Sequence, residues 1–265
     1  MKQTYFITGG TGSFAKKYIE FLLKKKLAKK IIIFSRDEYK QFLLKENPLI
    51  IKNLKIVRFL IGDIRDKDRL DYAIDSNIDI VIHAAAMKQV PATEYNPFEA
   101  VKTNIIGAQN IIEVCLKKNI KKVLALSTDK AAAPINLYGA TKLTSDKLFT
   151  NANYFRGKKR CKMSVVRYGN VMGSRGSVIP LFIEQRNNNK IFTITDSKMT
   201  RFNISLDESV KFVENCIKKM KGGEIFVPKI PSYRIMDVLK AIKNNPKFKV
   251  IGIRPGEKLH EELIT

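Results

Sequence analysis

The sequence predicts an α/β fold in which helices pack on both faces of a doubly wound parallel sheet, followed by a small C-terminal lobe. Short apolar runs alternate with helix-period segments over residues 1–170, a glycine-rich turn follows the first run, and the alternation loosens after about Val171. A chain of 265 residues can bury a sizeable core. We therefore expect residues 1–170 to form one domain and residues 171–265 a mixed α/β region interleaved with it.

Six apolar runs are predicted to be buried strands, because parallel strands covered on both faces are almost continuously apolar. These runs are Thr4–Gly9, Lys30–Ser35, Lys55–Asp63, Ile78–Ala86, Lys122–Ser127 and Met163–Asn170. Two segments with helical periodicity lie between them, Ser13–Lys26 and Asn96–Lys118.

The composition excludes several classes of protein. The net charge is +24, but the lysines are scattered and no basic motif is interleaved with aromatic residues, so we expect no nucleic-acid partner. A solvated lysine-rich surface is the favoured interpretation, and attraction of acidic ligands is the alternative. Three distant cysteines and two histidines predict neither a disulfide framework nor a metal site. No apolar run approaches the roughly 20 residues that span a bilayer, so we expect a cytoplasmic protein without membrane insertion.

The stretch TGGTGSFA predicts a dinucleotide-binding turn. Gly9, Gly12 and Ala15 have G-x-x-G-x-x-A spacing, directly after the first strand and at the start of the first helix. Glycines let the backbone approach a pyrophosphate, and the helix N-terminus attracts its charge. The parallel sheet is therefore expected to be of the Rossmann type, with Thr11, Ser13 and Phe14 beside the cofactor.

The end of the second strand predicts which dinucleotide is bound. NAD sites usually have an acid here for the ribose hydroxyls, whereas an arginine accommodates the 2′-phosphate of NADP. In FSRDEYK, Ser35 and Arg36 come first and Lys40 follows one helical turn later, which favours NADP. Because Asp37 is an acid that could hold the ribose hydroxyls, NAD remains the alternative.

The ends of the third and fourth strands are expected to complete the cofactor site. Asp63 and Ile64 are positioned to meet the adenine edge, and the small Ala84 and Ala85 would let the backbone approach the nicotinamide ribose. His83 is interpreted as a packed or hydrogen-bonded strand-end residue and not as a catalytic base.

Tyr138 and Lys142 are four residues apart, so on a helix they share one face. A nearby ammonium lowers the pKa of a phenol, and the same lysine can hold ribose hydroxyls. Such a tyrosine can remove the proton of an alcohol while hydride leaves the carbon. Because the pair follows a strand ending in LST and lies downstream of a nucleotide-binding turn, it predicts a catalytic site.

Several segments together resemble a known family. The glycine-rich turn, STDK and YGATK resemble extended short-chain dehydrogenase/reductases. The segments HAAAMKQVPATEYNPFEAVKTNIIGAQN, RYGNVMGSRGSVIPLF, DSKMTRFNISLDE, GGEIFVPKIPS and IGIRPGEKLHE are similar to inverting UDP-N-acetylglucosamine 4,6-dehydratases of pseudaminic acid biosynthesis. The resemblance covers nearly the whole chain. It implies NADP-dependent oxidation at sugar carbon 4, loss of the carbon 5 proton and the 6-hydroxyl, and return of hydride to carbon 6.

The resemblance also implies roles for individual residues. Tyr138 would be the base for the 4-hydroxyl, Asp129 the acid for the departing 6-hydroxyl and Lys130 the base at carbon 5. Thr128 precedes them, where many sugar-nucleotide dehydratases have Thr-Asp-Glu. A lysine that acts as a base must be neutral before it can accept a proton. We therefore expect burial and the cations Lys88 and Lys142 to lower the pKa of Lys130, with Asp129 opposing them.

The remaining implied site residues contact cofactor or substrate. Further cofactor contacts are Lys88, Thr103 and Val171. Substrate contacts are Lys88, Asn170, Val178, Thr195, Asp196, Arg201, Arg254 and Glu257. The resemblance further implies UDP-N-acetylglucosamine as substrate and a homo-oligomer such as a hexamer. Family members usually continue for several dozen residues beyond GEKLHE, so a shortened substrate-binding lobe is expected.

Two other functions are compatible with the sequence. One is a retaining dehydratase or a 5-epimerising enzyme of capsule or O-antigen synthesis; the large membrane-anchored retaining relatives commonly lack the tyrosine found here as Tyr138. The other, from a different class, is a truncated NADP-binding scaffold without catalysis. Intact Asp129, Lys130, Tyr138 and Lys142 argue against a scaffold, which needs none of these groups for catalysis.

Overall fold

The computed structural model describes residues 2–172 and 178–265, so residues 173–177 of the segment RYGNVMGSRGSVIPLF lie outside the described part. The first half of the chain contains strands β1 (Gln3–Thr8), β2 (Ala28–Ser35), β3 (Val57–Ile61), β4 (Ile80–His83), β5 (Lys122–Thr128) and β6 (Lys162–Tyr168). Its helices are α1 (Ser13–Lys24), α2 (Glu38–Lys45), α3 (Pro48–Ile51), α4 (Lys67–Ala73), α5 (Val90–Tyr95), α6 (Pro97–Val101), α7 (Gly107–Lys117) and α8 (Leu137–Phe155).

The second half has shorter strands. They are β7 (Asn170–Val171), β8 (Phe192–Ile194), β9 (Thr200–Ile204), β10 (Ile225–Phe226), β11 (Ser232–Arg234) and β12 (Phe248–Val250). Its helices are α9 (Val178–Asn187), α10 (Leu206–Lys219) and α11 (Ile235–Ile242).

The central sheet has the strand order β10-β6-β5-β4-β1-β2-β3, and all neighbouring strands are parallel. The direction of strand succession reverses between β1 and β4, which opens a crevice at the carboxyl ends of these strands. The predicted doubly wound α/β fold is therefore confirmed. Two small sheets, β11-β9-β7 and β12-β8, come from the second half of the chain.

The side chains of the central sheet are buried on both faces. Along β1, Tyr5 and Ile7 pack into one apolar layer with α1 and α10, whereas Phe6 packs into the opposite layer with α4, α7 and α8. The layers differ because successive side chains of a strand point to opposite faces. A separate small core, including Phe182 and Phe192, supports the second half of the chain.

The predicted single helix Asn96–Lys118 is wrong in its middle. Asn96 is the N-cap of α6, but a wide π turn over Lys102–Ile106 separates α6 from α7. The Asn104 side chain, buried in this turn, accepts from the Met87 amide at 2.8 Å and donates to the Met87 carbonyl at 3.0 Å. These tertiary bonds tie the π turn to the loop after β4, and helical periodicity in the sequence does not reveal them.

Candidate active site

A cleft of 1140 Å³ lies at the carboxyl edge of the central sheet. Every residue predicted to bind cofactor or substrate or to act in catalysis lines it, except Asp196. Asp196 instead accepts the Lys198 amide at 2.7 Å. No helix among the described residues is long and apolar enough to cross a membrane, and those residues include no group of three or more His, Cys, Asp or Glu side chains arranged to hold a metal.

The glycine-rich turn forms one end of the cleft. Gly9 has φ +61°, and a Cβ there would lie 2.8 Å from the Ala85 amide nitrogen, so both conformation and space require glycine. Gly12 is the N-cap of α1 and provides no capping side chain, and Ser13 and Phe14 line the cleft beside it. This uncapped helix terminus can accept an anionic group through its amides.

Two residues that follow β2 have different contacts. Asp37 caps a helix, whereas Arg36 lies in the cleft. Asp37 Oδ1 accepts the Lys40 amide at 2.9 Å as the N-cap of α2, and the Lys40 ammonium pairs with Oδ2. These hydrogen bonds to Lys40 lower the pKa of Asp37. Arg36 is largely exposed in the cleft, with Nη1 3.5 Å from Asp63 Oδ2. A guanidinium is therefore available where the sequence predicts the ribose of the dinucleotide.

His83 is a structural residue, as predicted. Its Nδ1 lies 3.0 Å from the Thr8 hydroxyl, whose oxygen also accepts the amides of Ala84 and Ala85. The hydroxyl proton is therefore the group that can bond to Nδ1. Burial lowers the pKa of His83 to about 3, with a contribution from the nearby Lys142 ammonium. A neutral imidazole thus fixes the ends of β1 and β4 beside the cleft.

The acid and base predicted from STDK lie in a short 3-10 turn directly after β5. The Asp129 side chain is almost fully buried, and its Oδ1 accepts from the Thr128 hydroxyl at 2.9 Å and from Lys130 Nζ at 3.1 Å. Lys130 Nζ is also 3.1 Å from Glu261 Oε1. The Lys130 ammonium therefore lies between two carboxylates.

The expected fall in the pKa of Lys130 is wrong. Burial does act to lower this pKa, but the charges of Asp129 and Glu261 outweigh it and the pKa is raised. Of these two acids, sequence reasoning considered only Asp129. In this arrangement Lys130 is held as an ammonium, and it becomes a base only when its proton moves to another group.

The pKa of Tyr138 also differs from the expectation. Tyr138 lies in the first turn of α8, which Asn136 caps by accepting the Gly139 amide at 2.7 Å. Burial raises the Tyr138 pKa to about 12, opposed by the Lys130 ammonium and a hydrogen bond with Thr128. Sequence spacing indicated Lys142 as the cation that would lower it. Lys142 Nζ donates instead to the Leu126 carbonyl at 2.7 Å, and burial lowers its own pKa.

Seven of the eight predicted substrate residues line the cleft. Glu257 joins two of them, with Oε1 3.2 Å from Arg201 Nη2 and Oε2 3.3 Å from Arg254 Nε. Arg201 is buried and also donates to the carbonyls of Thr200 and Leu259. Arg254 is exposed, so its guanidinium is the more accessible of the two. Lys88, Asn170, Val178 and Thr195 line the cleft as well.

Sequence reasoning missed Glu261. Exposed and buried side chains alternate from His260 to Leu263. Glu261 and Leu263 are buried, whereas His260 and Glu262 are exposed. An acid at an inward position of a period-2 pattern was the available signal, because buried acids need a partner. That partner, Lys130, is far away in the sequence and could not be inferred from this local pattern.

A buried polar network supports α8, the helix that carries Tyr138 and Lys142. Asp146 Oδ2 accepts from Ser127 Oγ at 2.8 Å and from Arg167 Nη2 at 3.1 Å. Burial raises the pKa of Asp146, and Lys142, Ser127 and Arg167 oppose that rise. The carboxylate also acts against the fall in the pKa of Lys142. This network therefore links β5, β6 and α8 behind the cleft.

Comparisons with known proteins agree on the family to which the chain belongs. The model of a family described as polysaccharide biosynthesis protein matches residues 5–265. A UDP-N-acetylglucosamine 4,6-dehydratase (inverting) of Campylobacter jejuni is 54% identical over 265 residues, which cover 100% of this chain and 78% of that protein. A UDP-glucose 4-epimerase of Rickettsia felis is 42% identical, covering 99% and 78%. The X-ray structure of Pen from Bacillus thuringiensis superposes with a TM-score of 0.94 at 44% identity, covering 100% and 84%. The resemblance predicted from the sequence is confirmed.

Proposed function

Since the chain belongs to the polysaccharide biosynthesis protein family, we propose that it is an NADP-dependent 4,6-dehydratase of UDP-N-acetylglucosamine that inverts carbon 5. The product would be UDP-2-acetamido-2,6-dideoxy-β-L-arabino-hexos-4-ulose, the first intermediate of pseudaminic acid synthesis. The observation that carries the proposal is the contact of 3.1 Å between Lys130 Nζ and Asp129 Oδ1, in the same cleft as Tyr138. The enzyme would act in the cytoplasm as a homo-oligomer.

The described residues fit a dinucleotide. Gly9 leaves room for close backbone approach, and the N-terminus of α1 has no side-chain cap. Thr103 Oγ1 lines the same region, is buried and has no hydrogen-bond partner among residues 2–172 and 178–265, as expected of a group that binds a ligand. When bound, NADP⁺ would supply the hydride acceptor for oxidation at carbon 4.

The different contacts of Asp37 and Arg36, which follow β2, favour NADP over NAD. Asp37, the acid that could hold the ribose hydroxyls, uses its carboxylate to cap α2 and to pair with Lys40. Arg36 is exposed in the cleft and can form two parallel hydrogen bonds to a phosphate. The available group at this position is therefore a cation, as a 2′-phosphate requires.

The catalytic residues divide the proton transfers among them. Tyr138 accepts the proton of the 4-hydroxyl as a phenolate, the form that the Lys130 ammonium and the Thr128 hydrogen bond favour against burial. Lys130 removes the proton from carbon 5, and Asp129 protonates the departing 6-hydroxyl. In the resting ion pair Lys130 is the ammonium and Asp129 the carboxylate. Transfer of one proton across their 3.1 Å contact yields a neutral amine and a carboxylic acid together, which are the forms that these two roles need. Because no proton enters or leaves the pair, the charge balances.

A UDP-glucose 4-epimerase is the second candidate, because a relative with that name is 42% identical over nearly the whole chain. Epimerisation at carbon 4 needs a tyrosine base and hydride transfer. It needs no acid for a leaving hydroxyl and no base at carbon 5. The buried Asp129 and Lys130 pair favours the dehydratase for this reason. A retaining dehydratase would use the same pair and differ in the face on which carbon 5 is reprotonated.

One experiment distinguishes these reactions. The protein is incubated with NADP and UDP-N-acetylglucosamine in deuterated water, and the products are followed by NMR. The proposal requires a 4-keto-6-deoxy sugar of L-arabino configuration with deuterium at carbon 5. A product of retained D configuration would identify a retaining dehydratase. A 4-epimer without loss of water would identify an epimerase, and tight NADP binding without turnover would leave only a scaffold.

A further inference from the structure

Glu261 is an acid whose position in the cleft the proposed chemistry does not yet explain. Its side chain is only 2% exposed, and Oε1 lies 3.1 Å from Lys130 Nζ. The other oxygen, Oε2, is buried and has no hydrogen-bond partner among the residues that the structure describes. The ion pair with Lys130 is therefore the contact that offsets burial of this carboxylate. Such a pair gains little stability over apolar packing, so stability alone does not account for it.

The chain holds Glu261 in place from both sides. On one side, Asn136, the cap of α8, donates from Nδ2 to the Gly256 carbonyl at 2.6 Å. On the other side, Arg167 donates from Nη1 to the Leu263 carbonyl at 3.1 Å, and the Leu263 side chain is buried. The segment around Glu261 is thus attached to the N-terminus of α8, which carries Tyr138, and to β6.

The geometry around Lys130 Nζ has a stereochemical consequence. The Lys130 ammonium has three N–H groups, and the carboxylates of Asp129 and Glu261 lie within reach of two of them. Both carboxylates are almost completely buried, whereas 21% of the Lys130 side chain is exposed. The third N–H group is bonded to neither of these carboxylates, and Lys130 lines the cleft.

We infer that Glu261 is a positioning residue for Lys130: its carboxylate holds one N–H of Lys130 both before and after Asp129 takes up a proton, and so orients the nitrogen towards the cleft. The inference rests on the proposed role of Lys130 as the base at carbon 5. It also gives Glu261 a second effect, because a fixed negative charge at this distance stabilises the ammonium. The charged and titratable groups facing Lys130 are Asp129 from its own turn, Glu261 from the C-terminal segment and Tyr138 from α8. Raised by the two carboxylates, the Lys130 pKa should fall when either charge is removed.

The first test measures the protonation of Lys130 without any catalysis. Limiting acetic anhydride is added to the full-length protein at a series of pH values, and acetylation of Lys130 is quantified by peptide mass spectrometry. In Glu261→Gln, the midpoint of the labelling profile should move to lower pH, so that labelling below the midpoint rises about tenfold. Changed access would alter only the amplitude. Glu262→Gln, at the exposed neighbouring position, is the matched control and should match the wild type.

The second test uses the proposed reaction. In Glu261→Gln, kcat should fall by at least about tenfold with little change in KM, and the acid limb of the pH profile should move to lower pH. Glu261→Asp keeps the charge but withdraws it by one methylene, so it should keep the wild-type labelling midpoint and still lower kcat. If Glu261→Gln does not fold, Glu261→Asp decides: a wild-type kcat in that variant would overturn the inference.

The outcomes for the two proposals are separable. An unchanged Lys130 labelling midpoint in folded Glu261→Gln would overturn the role of Glu261, whatever the enzyme catalyses. Absence of dehydration in the wild-type protein would overturn the proposed function, while the labelling profile would still report whether Glu261 controls Lys130.

Discussion

Arg167 Nη2 lies 3.1 Å from Asp146 Oδ2, and both side chains are buried. Ser127 completes the contact by donating to the same oxygen. Buried ion pairs of this kind contribute little net stability, but the loss of one partner leaves a charge without compensation. The pair therefore makes the support of α8 sensitive to substitution at either residue.

Replacement of Arg167 by methionine should lower the free energy of unfolding by about 3 kcal/mol, because it removes the ion-pair partner of the buried Asp146 carboxylate. Urea unfolding at pH 7 measures the loss. The double variant Asp146→Asn/Arg167→Met removes both charges and keeps an acceptor for Ser127. It should recover at least about half of the loss. A double variant less stable than Arg167→Met would contradict this account.

His83 should make stability depend on pH. Its pKa is about 3 in the folded protein against an ordinary value of 6.5, so between these values only the unfolded chain takes up the proton. The stabilisation from neutral His83 is complete above about pH 6.5 and is lost as the pH falls towards 3. Relative to His83→Gln, the wild-type protein should lose about 2 kcal/mol between pH 7 and pH 5. A constant difference in urea unfolding between these proteins would show that folding does not lower the pKa of His83.

Gly139 sets the distance between α8 and the turn that carries Lys130. A Cβ at this position would lie 2.1 Å from the Lys130 carbonyl oxygen, so Gly139→Ala must displace one of the two. We expect a loss of about 2 kcal/mol in stability and a fall of more than about tenfold in kcat. Ala140→Gly, at the exposed neighbouring position, should cost about 1 kcal/mol through helix propensity and leave kcat unchanged. Equal kcat values for both variants would contradict the close packing.

Arg36→Ala tests the choice of cofactor. Removal of the guanidinium should weaken NADP binding by about tenfold, or about 1.4 kcal/mol, and leave NAD binding unchanged, because only NADP has the 2′-phosphate. Isothermal titration calorimetry with both dinucleotides measures this, and Lys45→Ala on the exposed surface of α2 is a charge-matched control. Equal weakening of both cofactors would mean that Arg36 does not recognise the phosphate.

Lys130→Ala separates dehydration from cofactor binding. The variant should bind NADP as the wild-type protein does, since the glycine-rich turn is untouched. Its rate of dehydration should fall at least about a hundredfold, because the proposed base at carbon 5 is gone. Calorimetry and NMR in deuterated water measure the two properties. Loss of NADP binding in this variant would count against the role proposed for Lys130.

The sequence predicted the central sheet and the cleft more accurately than the electrostatics of the site. Apolar runs and the glycine-rich turn are local patterns, so they were sufficient to predict the strands and the place of Gly9. The pKa of Lys130 depends on Glu261, which reaches it from a distant part of the chain. The π turn at Lys102–Ile106 depends likewise on hydrogen bonds from Asn104 to the loop after β4. Contacts between distant segments determine these features, and a single sequence does not reveal such contacts.

Strand β10, only two residues long, pairs with β6 at the edge of the central sheet. Its residues Ile225 and Phe226 lie far downstream of β6 in the chain, yet they cover the backbone of Val165 and Val166. A fragment that stops at Gly169 would present β6, an almost wholly buried apolar strand, as an unprotected edge. Such edges recruit strands from other molecules. We therefore expect β10 to protect this edge from pairing with other molecules, and a fragment of the first half alone to aggregate more readily than the whole chain.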